Sequence, residues 1–185
     1  MFSDSHAHIF MILERNGKDC SFLKEMTEKK YRFLMDIGTE PGDLNKRQNG
    51  ITEALNGKTP DFIHFAAGIW PHAECIAAPE KSIEALKADL AAIFAGNPAY
   101  GALGECGLDR HWNGQAAAEA IAKGQRAGTT DIEGEKHLFK AQLKLAKEKK
   151  LAVIIHSRSA FSETLKCIDE IGHHKGVIHC YSYGI

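Results

Sequence analysis

Short apolar runs alternate along the chain with longer segments in which apolar residues recur at helical spacing. Most of the short runs are nearly continuous rather than alternating, which is typical of parallel strands that are covered on both faces. The pattern therefore predicts six strands, at Met1–Ser5, Tyr31–Ile37, Phe62–Ile69, Ala99–Gly104, Leu151–His156 and Gly176–Cys180.

Helices are predicted between these strands where the chain has readable helix ends. In Pro79–Phe94 the apolar residues form one stripe, the proline suits the first turn, and Gly96 with Pro98 ends the run. Similar stripes predict helices at Gly134–Lys150 and Ala160–Ile171. Alternating strands and helices predict a single α/β domain over residues 1–185, with a parallel sheet that is either an open layer or a barrel.

The segment Asn113–Gly134 breaks this alternation. It is rich in alanine, glycine and threonine, and it contains only a weak helical pattern at Gln115–Lys123. Long connections of this kind are usually functional or mobile. Because the segment follows the strand that leads to Glu105, we expect a mobile flap over the rim of a site at that end of the sheet.

Composition narrows the classes of function. The 23 basic and 24 acidic residues give a net charge of −1. Nucleic-acid binding would therefore need a local source of positive charge, such as metal ions. Apolar runs long enough for a membrane span and a signal-peptide pattern are both missing, which predicts no membrane association. The five cysteines are scattered without a CxxC pair, which favours reduced thiols in the cytoplasm.

The stretch SDSHAH at residues 3–8 places two histidines two positions apart in the first predicted strand. Side chains at i and i+2 of a strand point to the same side, so His6 and His8 can hold one metal ion, with Asp4 on that face. For this stretch alone, an exposed polar strand end is the more frequent explanation.

Further polar groups stand at the ends of later strands. Glu105 and Asp109 lie in GALGECGLD, His156 ends LAVIIHSR, and His179 lies in GVIHCYSYG. Each has a structural alternative, such as a hydrogen-bonded core histidine or an ion pair of Glu105 with Arg110. In parallel α/β folds, however, these strand ends meet at the active site, so the joint pattern predicts a metal centre.

Histidine and carboxylate ligands without thiolate suit zinc, manganese or other divalent ions. Glu105 has two carboxylate oxygens and can bridge two ions about 3.5–4 Å apart, the spacing of hydrolytic two-metal sites. Cys106 and Cys180 adjoin the candidate ligands, but strand neighbours point to opposite sides, which favours core packing for both.

These motifs resemble those of the TatD family of metal-dependent deoxyribonucleases, within the amidohydrolase-like barrel hydrolases. The resemblance runs from Phe2 to the last residue. DSHAH is similar to the family's DxHxH, GECGLD to its GExGLD, and GVIHCYSYG to its GVxHCFSG. The stretch FKAQLKLAKEKKLAVIIHSR resembles the helix and strand that lead into the family's HxR. The order and approximate spacing of the motifs also agree.

The resemblance implies a TIM-type (β/α) barrel that hydrolyses the phosphodiester bonds of DNA, from ends or in single strands. It implies two divalent ions, which can be zinc, magnesium or manganese. Glu105 would bridge both ions, and Arg158 would bind near the substrate phosphate, which makes these two residues the catalytic candidates. The implied metal ligands are His6, His8, Glu105, His156 and His179.

The sequence departs from the family pattern at AGIWPHAE, where Trp70 stands in place of the usual histidine and His72 matches a later one. Trp70 can stack on a base or can be a simple buried aromatic residue. Together with Asp109, these two residues are the candidate substrate contacts.

About six of the eight βα units are present, since a full barrel takes about 250 residues. The resemblance also implies a metal-binding, water-orienting aspartate after strand eight, which lies beyond Ile185. The sequence leaves open whether the chain is a fragment. A protein truly ending there would expose the edges of strands one and six, would tend to aggregate or oligomerise, and would have little nuclease activity.

The sequence therefore favours a cytoplasmic, divalent-metal-dependent hydrolase that acts on DNA. One alternative is a hydrolase of C–N or ester bonds on the same scaffold. Against it, amidohydrolases with a bridging carbamylated lysine have lysine where Glu105 stands. The other alternative is a catalytically inactive remnant that binds metal or a partner.

Overall fold

The computed structural model describes residues 2–96, 101–114, 122–123, 129–179 and 181–183. It shows one parallel sheet in which the six strands lie side by side in chain order, the arrangement of consecutive βα units in a barrel. The strands are β1 (Ser3–Ala7), β2 (Phe33–Ile37), β3 (Ile63–Ala67), β4 (Ala102–Asp109), β5 (Ala152–Arg158) and β6 (Gly176–Ile178).

Helices connect the strands and include the three that the sequence predicts. The described helices are α1 (Ile9–Arg15), α2 (Ser21–Glu28), α3 (Leu44–Ala54), α4 (Ala73–Ala77), α5 (Pro79–Gly96), α6 (Ile132–Lys149) and α7 (Phe161–Ile171). The first four were not predicted: α1, α2 and α4 have at most eight residues, and in α3 the only buried apolar residues are Leu44 and Ile51. The side chain of Asp131 caps α6 by accepting a hydrogen bond from the backbone N–H of Gly134.

The bounds of β4 differ most from the sequence prediction. The apolar run predicts a strand that ends at Gly104, but β4 continues through Glu105 to Asp109. The backbone pairs with β5 along this extension, with Gly107 opposite His156 and Asp109 opposite Arg158. Backbone pairing to a neighbouring strand does not depend on side-chain polarity, so the polar residues did not end the strand. Cys180 and residues 99–100 lie outside the described part of the chain.

Both faces of the sheet are apolar, as the nearly continuous strand pattern predicts. One cluster packs Leu34 of β2 against the first helices, and a larger one packs β3–β5 against α5, α6 and α7. Cys106 lies in this larger cluster, where it is fully buried. The opposite face carries Met35, Ile37, Ala66, Ala102 and Ile154.

Glycines allow β4 to lie very close to its neighbours. A Cβ atom on Gly68 would lie 2.5 Å from the carbonyl carbon of Gly104. A Cβ atom on Gly107 would overlap the carbonyl oxygen of His156. The backbone N–H of Glu105 also donates to the carbonyl of Gly38, at 2.8 Å. These close contacts fix the backbone on both sides of Glu105.

Residues on either side of the segment 115–128 are joined by hydrogen bonds. The N–H of Gly114 donates to the carbonyl of Thr129 at 2.7 Å, and the N–H of Thr129 donates to Oδ1 of buried Asn113 at 2.8 Å. Most of the predicted flap Asn113–Gly134, and nearly all of the weak helix Gln115–Lys123, lie outside the described residues. None of the described helices has the length and apolar character that a membrane crossing requires.

Candidate metal centre

The carboxylate of Glu105 lies between four imidazole rings. Its Oε2 atom lies 3.3 Å from Nε2 of His6 and 3.5 Å from Nε2 of His8. Its Oε1 atom lies 2.8 Å from Nδ1 of His156 and 3.0 Å from Nε2 of His179. Each oxygen of one buried carboxylate therefore faces its own pair of histidines.

The two pairs of histidines form a single cluster. The Nε2 atoms of His6 and His8 are 3.2 Å apart, and Nδ1 of His156 lies 3.2 Å from Nε2 of His179. The rings of His6 and His179 stack with their centroids 3.8 Å apart, which joins the pairs. One ligand atom each from His6, Glu105 and His179 lie within 4.8 Å of one another. The structure thus brings together all five residues that the sequence predicts as ligands.

Strand geometry places these side chains at the carboxyl end of the sheet. His6 lies in β1, where its backbone N–H donates to Oδ1 of Asp4 at 2.9 Å, and His8 directly precedes α1. His156 lies in β5, and His179 follows β6. The ends of parallel strands meet at one edge, so residues far apart in sequence reach the same small volume.

Backbone and side-chain acceptors orient two of the rings. Nδ1 of His8 lies 3.3 Å from the carbonyl of Ile37, and Nε2 of His156 lies 2.8 Å from Oδ2 of Asp109. A carbonyl or carboxylate accepts only, so these nitrogens donate and leave the opposite nitrogen of each ring directed at Glu105. Such outer hydrogen bonds are typical of metal-binding histidines.

The electrostatics of the cluster favour positive charge. Burial alone would raise the pKa of Glu105, yet hydrogen bonds from His156, His179 and His6 hold this pKa far below its usual range. Burial likewise opposes protonation of His156, but the carboxylates of Asp109 and Glu105 raise its pKa to about 9. Burial dominates at His8 and lowers its pKa. The carboxylates of Glu105 and Asp109 thus stay ionised and stabilise positive charge beside them, as they would for a bound cation.

The donor set fits divalent metal ions. It consists of imidazole nitrogens and carboxylate oxygen, the combination that zinc, manganese and related ions accept. The Nε2 atom of His6 lies 3.3 Å from Oε2 of Glu105, so this nitrogen and the carboxylate can bind the same ion. Nδ1 of the same ring is buried and has no hydrogen-bond partner among the described residues.

Asp109 occupies a different position from the substrate contact expected from the sequence. Its side chain is 1% exposed, and besides His156 it accepts hydrogen bonds from the backbone N–H groups of His111 and Trp112 at 2.9 and 3.0 Å. These bonds and that from His156 lower its pKa although burial opposes the change. The structure therefore places Asp109 behind His156, where it orients the ring.

A buried acid behind Asp109 was missed at the sequence level. Glu135 of α6 is fully buried and accepts hydrogen bonds from the backbone N–H of Asp109 at 2.7 Å, from Nδ2 of Asn113 at 3.0 Å and from the guanidinium of Arg110. Arg110 thus pairs with Glu135, and also with Glu163, rather than with Glu105. A charged residue on the apolar side of a predicted helix was the available signal.

A second buried network that the sequence did not predict surrounds Arg47 and reaches the start of α1, just after His8. Arg47 is 3% exposed, and it donates to Oδ2 of Asp36 at 2.5 Å and to the carbonyl of Ala66 at 2.8 Å. Oδ1 of Asp36 accepts from the backbone N–H of Phe10 at 3.2 Å. Burial raises the pKa of Asp36, although Arg47 opposes this change. The network ties the turn after His8 to β2 and β3.

Trp70 and Arg158 lie at the rim of the cluster. The half-buried Trp70 ring lies 5.8 Å, between centroids, from the ring of His156 and 4.8 Å from that of His72. His72 is largely buried, with Nε2 3.7 Å from Oε1 of Glu40. Arg158 is exposed at the end of β5, two residues after His156. Trp70 therefore borders the cluster, and Arg158 is exposed at the end of the strand that carries His156.

The sequence of this chain also matches known proteins over nearly its whole length. Residues 3–185 match the family model of the TatD related DNases. An uncharacterised metal-dependent hydrolase of Bacillus subtilis, YabD, is 28% identical over 188 residues, which cover 98% of this chain and 61% of that protein. The chain therefore spans less than two thirds of that relative's length.

Crystal structures give the same result for the fold. YjjV, a TatD homologue from Escherichia coli, has a TM-score of 0.68 and 25% identity, covering 99% of this chain and 61% of its own. A hydrolase of the TatD family from Entamoeba histolytica has a TM-score of 0.63 at 18% identity, covering 87% of this chain and 48% of its own. Six consecutive βα units of a TatD-type barrel account for the sheet described above.

Proposed function

This chain belongs to the TatD-related DNase family, and we propose on that basis that its metal centre hydrolyses the phosphodiester bonds of DNA. The observation that carries the proposal is the position of Glu105, whose two oxygens face separate pairs of histidines. A carboxylate in this position suits a bridge between two divalent ions. The metal-dependent hydrolase among the relatives supports the coarser part of the proposal.

The protein groups divide between two ion sites. His6 and His8 with Oε2 of Glu105 would hold one ion, and His156 and His179 with Oε1 would hold the other. When bound, such ions polarise a phosphoryl oxygen and acidify a water molecule. The donor atoms suit zinc, manganese or magnesium.

Two rim residues would bind the DNA itself. The exposed guanidinium of Arg158 can bind a phosphate through two parallel hydrogen bonds. Trp70, beside His156, offers a ring face on which a base can stack. Because the whole chain carries a net charge of −1, this local combination of ions and arginine would supply the attraction for DNA. Single-stranded DNA and DNA ends are the proposed substrates, because their bases are accessible.

The proposal is tested with the purified 185-residue chain, stripped of metal by a chelator and then supplied with Mn²⁺, Mg²⁺ or Zn²⁺. End-labelled single-stranded DNA and an ester or amide substrate are incubated in parallel. We expect metal-dependent cleavage of the DNA but not of the ester or amide substrate, and a loss of at least about 100-fold in the DNA cleavage rate in Glu105→Ala. Glu84→Ala, whose side chain is 75% exposed on α5, is the matched control.

Each alternative predicts a different outcome. Metal-dependent turnover of the ester or amide but not of DNA would support a different hydrolase. Metal binding without turnover of either substrate would indicate an inactive binding protein. DNA cleavage that is equal in the Glu105→Ala variant would remove the metal centre from the reaction.

A further inference from the structure

Three aromatic rings pack against one another beside the metal centre. Phe161 begins α7, and Tyr181 and Tyr183 follow His179 on the segment after β6. The centroid of Phe161 lies 4.9 Å from that of Tyr183 and 5.6 Å from that of Tyr181, and the two tyrosines are 5.4 Å apart. We refer to Phe161, Tyr181 and Tyr183 as the aromatic platform.

Hydrogen bonds hold one ring of the platform in place. The hydroxyl of Tyr183 accepts from the backbone N–H of Ala160 at 3.1 Å and lies 3.0 Å from Oγ of Ser157. Oγ of Ser157 in turn lies 2.9 Å from Oγ1 of Thr164, and both of these side chains are buried. This network ties the segment after β6 to the end of β5 and the start of α7.

The outermost ring of the platform faces solvent. Tyr181 is 47% exposed although it contacts both other rings. A ring that is supported by two neighbours and open on another side has its orientation fixed before any ligand arrives, so binding costs little conformational entropy.

The platform follows the metal-facing residue His179 closely along the chain. Tyr181 follows His179 by two residues, a span of at most about 7 Å along the backbone. Ser157, which anchors Tyr183, follows His156 in β5 and faces α7, and the exposed Arg158 comes next, on the side of the strand that carries His156. An exposed aromatic ring and a positive charge thus each lie two residues along the chain from a histidine of the metal centre.

We propose that the aromatic platform is a base-binding subsite, on which Tyr181 stacks a base of single-stranded DNA while Arg158 binds the adjoining phosphate. The inference rests on the proposed DNA hydrolysis at the metal centre. Stacking on an aromatic side chain is worth about 1–3 kcal/mol per base and tolerates any base, since every base has a ring face. Paired bases in a duplex present only their edges, so the subsite favours single strands.

The test compares binding of two fluorescent oligonucleotides to the full chain by anisotropy, one with bases and one abasic throughout. Ca²⁺ is the added ion, and the same proteins are assayed in parallel for DNA cleavage with Mn²⁺. In Tyr181→Ala we expect the Kd for the oligonucleotide with bases to rise about 10-fold, and the Kd for the abasic one to stay unchanged. Tyr181→Phe keeps the ring and should bind as the unsubstituted chain does.

Two further variants separate stacking from packing. Tyr183→Phe loses the anchoring hydroxyl but keeps its ring, and it should weaken binding of the oligonucleotide with bases less than Tyr181→Ala does. Leu165→Ala removes another exposed apolar side chain of α7, 38% exposed, and should change neither Kd. Circular dichroism of each variant verifies that it remains folded.

The outcomes distinguish this inference from the proposed nuclease activity. Unchanged binding in Tyr181→Ala, or an equal loss for the abasic oligonucleotide, would overturn the subsite even if the chain cleaves DNA. Base-dependent binding without any cleavage would support the subsite and contradict the nuclease proposal. If the unsubstituted chain binds neither oligonucleotide, both are overturned.

Discussion

Asp109 lies directly behind His156 and accepts a hydrogen bond from its Nε2 atom at 2.8 Å, while Nδ1 of the same ring lies 2.8 Å from Glu105. A carboxylate has no hydrogen to donate, so Nε2 donates and Nδ1 is the nitrogen available to a metal ion. The orientation of this ring thus depends on a residue that does not itself face the cluster.

Replacing Asp109 by alanine should weaken metal binding. Without its acceptor, the His156 ring can rotate, and losses of this kind typically reduce metal affinity about 10- to 100-fold. Isothermal titration of the metal-free chain with Mn²⁺ or Zn²⁺ measures the change. Asp169→Ala, at a side chain 75% exposed on α7, serves as control. Equal affinity in Asp109→Ala and the control would show that the hydrogen bond does not orient the ring.

Replacing Arg47 by leucine should destabilise the fold. The substitution leaves the buried carboxylate of Asp36 without its counter-charge, which typically costs about 3–5 kcal/mol. Urea denaturation measures the free energy of unfolding. Lys29→Ala removes an exposed ion pair with Glu25 and should cause no measurable change. If the two variants were equally stable, the Asp36–Arg47 pair would not stabilise the sheet.

Replacing Gly107 by alanine should disturb both the fold and the centre. The new methyl group would overlap the carbonyl of His156 and force β4 and β5 apart, at a cost of about 3 kcal/mol. Gly57→Ala is the control, because Gly57 has a positive φ but open space around its Cβ position, and should cost about 1–2 kcal/mol. Urea denaturation gives both costs. A smaller cost at Gly107 than at Gly57 would contradict close packing.

Replacing Gln142 by leucine should free the backbone beside Trp70. The Gln142 side chain is buried, accepts from the N–H of Ile69 at 2.8 Å and donates to its carbonyl at 3.0 Å. Each buried group that loses its partner costs about 1–3 kcal/mol. We expect a loss of at least about 2 kcal/mol by urea denaturation, against little change for exposed Lys144→Leu. The Ile69 amide should also exchange its hydrogen faster in Gln142→Leu. If it exchanged as slowly as in the unsubstituted chain, Gln142 would not hold this backbone in place.

Local patterns in the sequence predicted the six strands and the polar residues at their ends, and the family resemblance selected five of these residues as ligands. Strand runs and helix stripes are local, and parallel order follows from their alternation. Once the strands are placed, the histidines at their ends must converge, because parallel strands share one carboxyl edge. The family resemblance assigned Glu105 as the bridge, which the structure places between both pairs of histidines.

The supporting contacts could not be predicted in the same way. Gln142 and Ile69 are 73 residues apart, and Glu135 meets the backbone of Asp109 over 26 residues. No spacing rule links such positions, since their contact depends on how helices pack on the sheet. The role of Asp109 shows the same limit. Its motif marks it as functional, but only the packing shows that it lies behind His156.

The hydrogen bonds that join Asn113 and Gly114 to Thr129 have an evolutionary consequence. They hold the two ends of the segment 115–128 next to each other. The number of residues between these ends therefore has little effect on the sheet. The entropy of closing such an excursion changes by only about 0.6 kcal/mol for each doubling of its length. Insertions and deletions between these residues should therefore be tolerated, and related chains can vary here in length while their metal-binding residues keep their places.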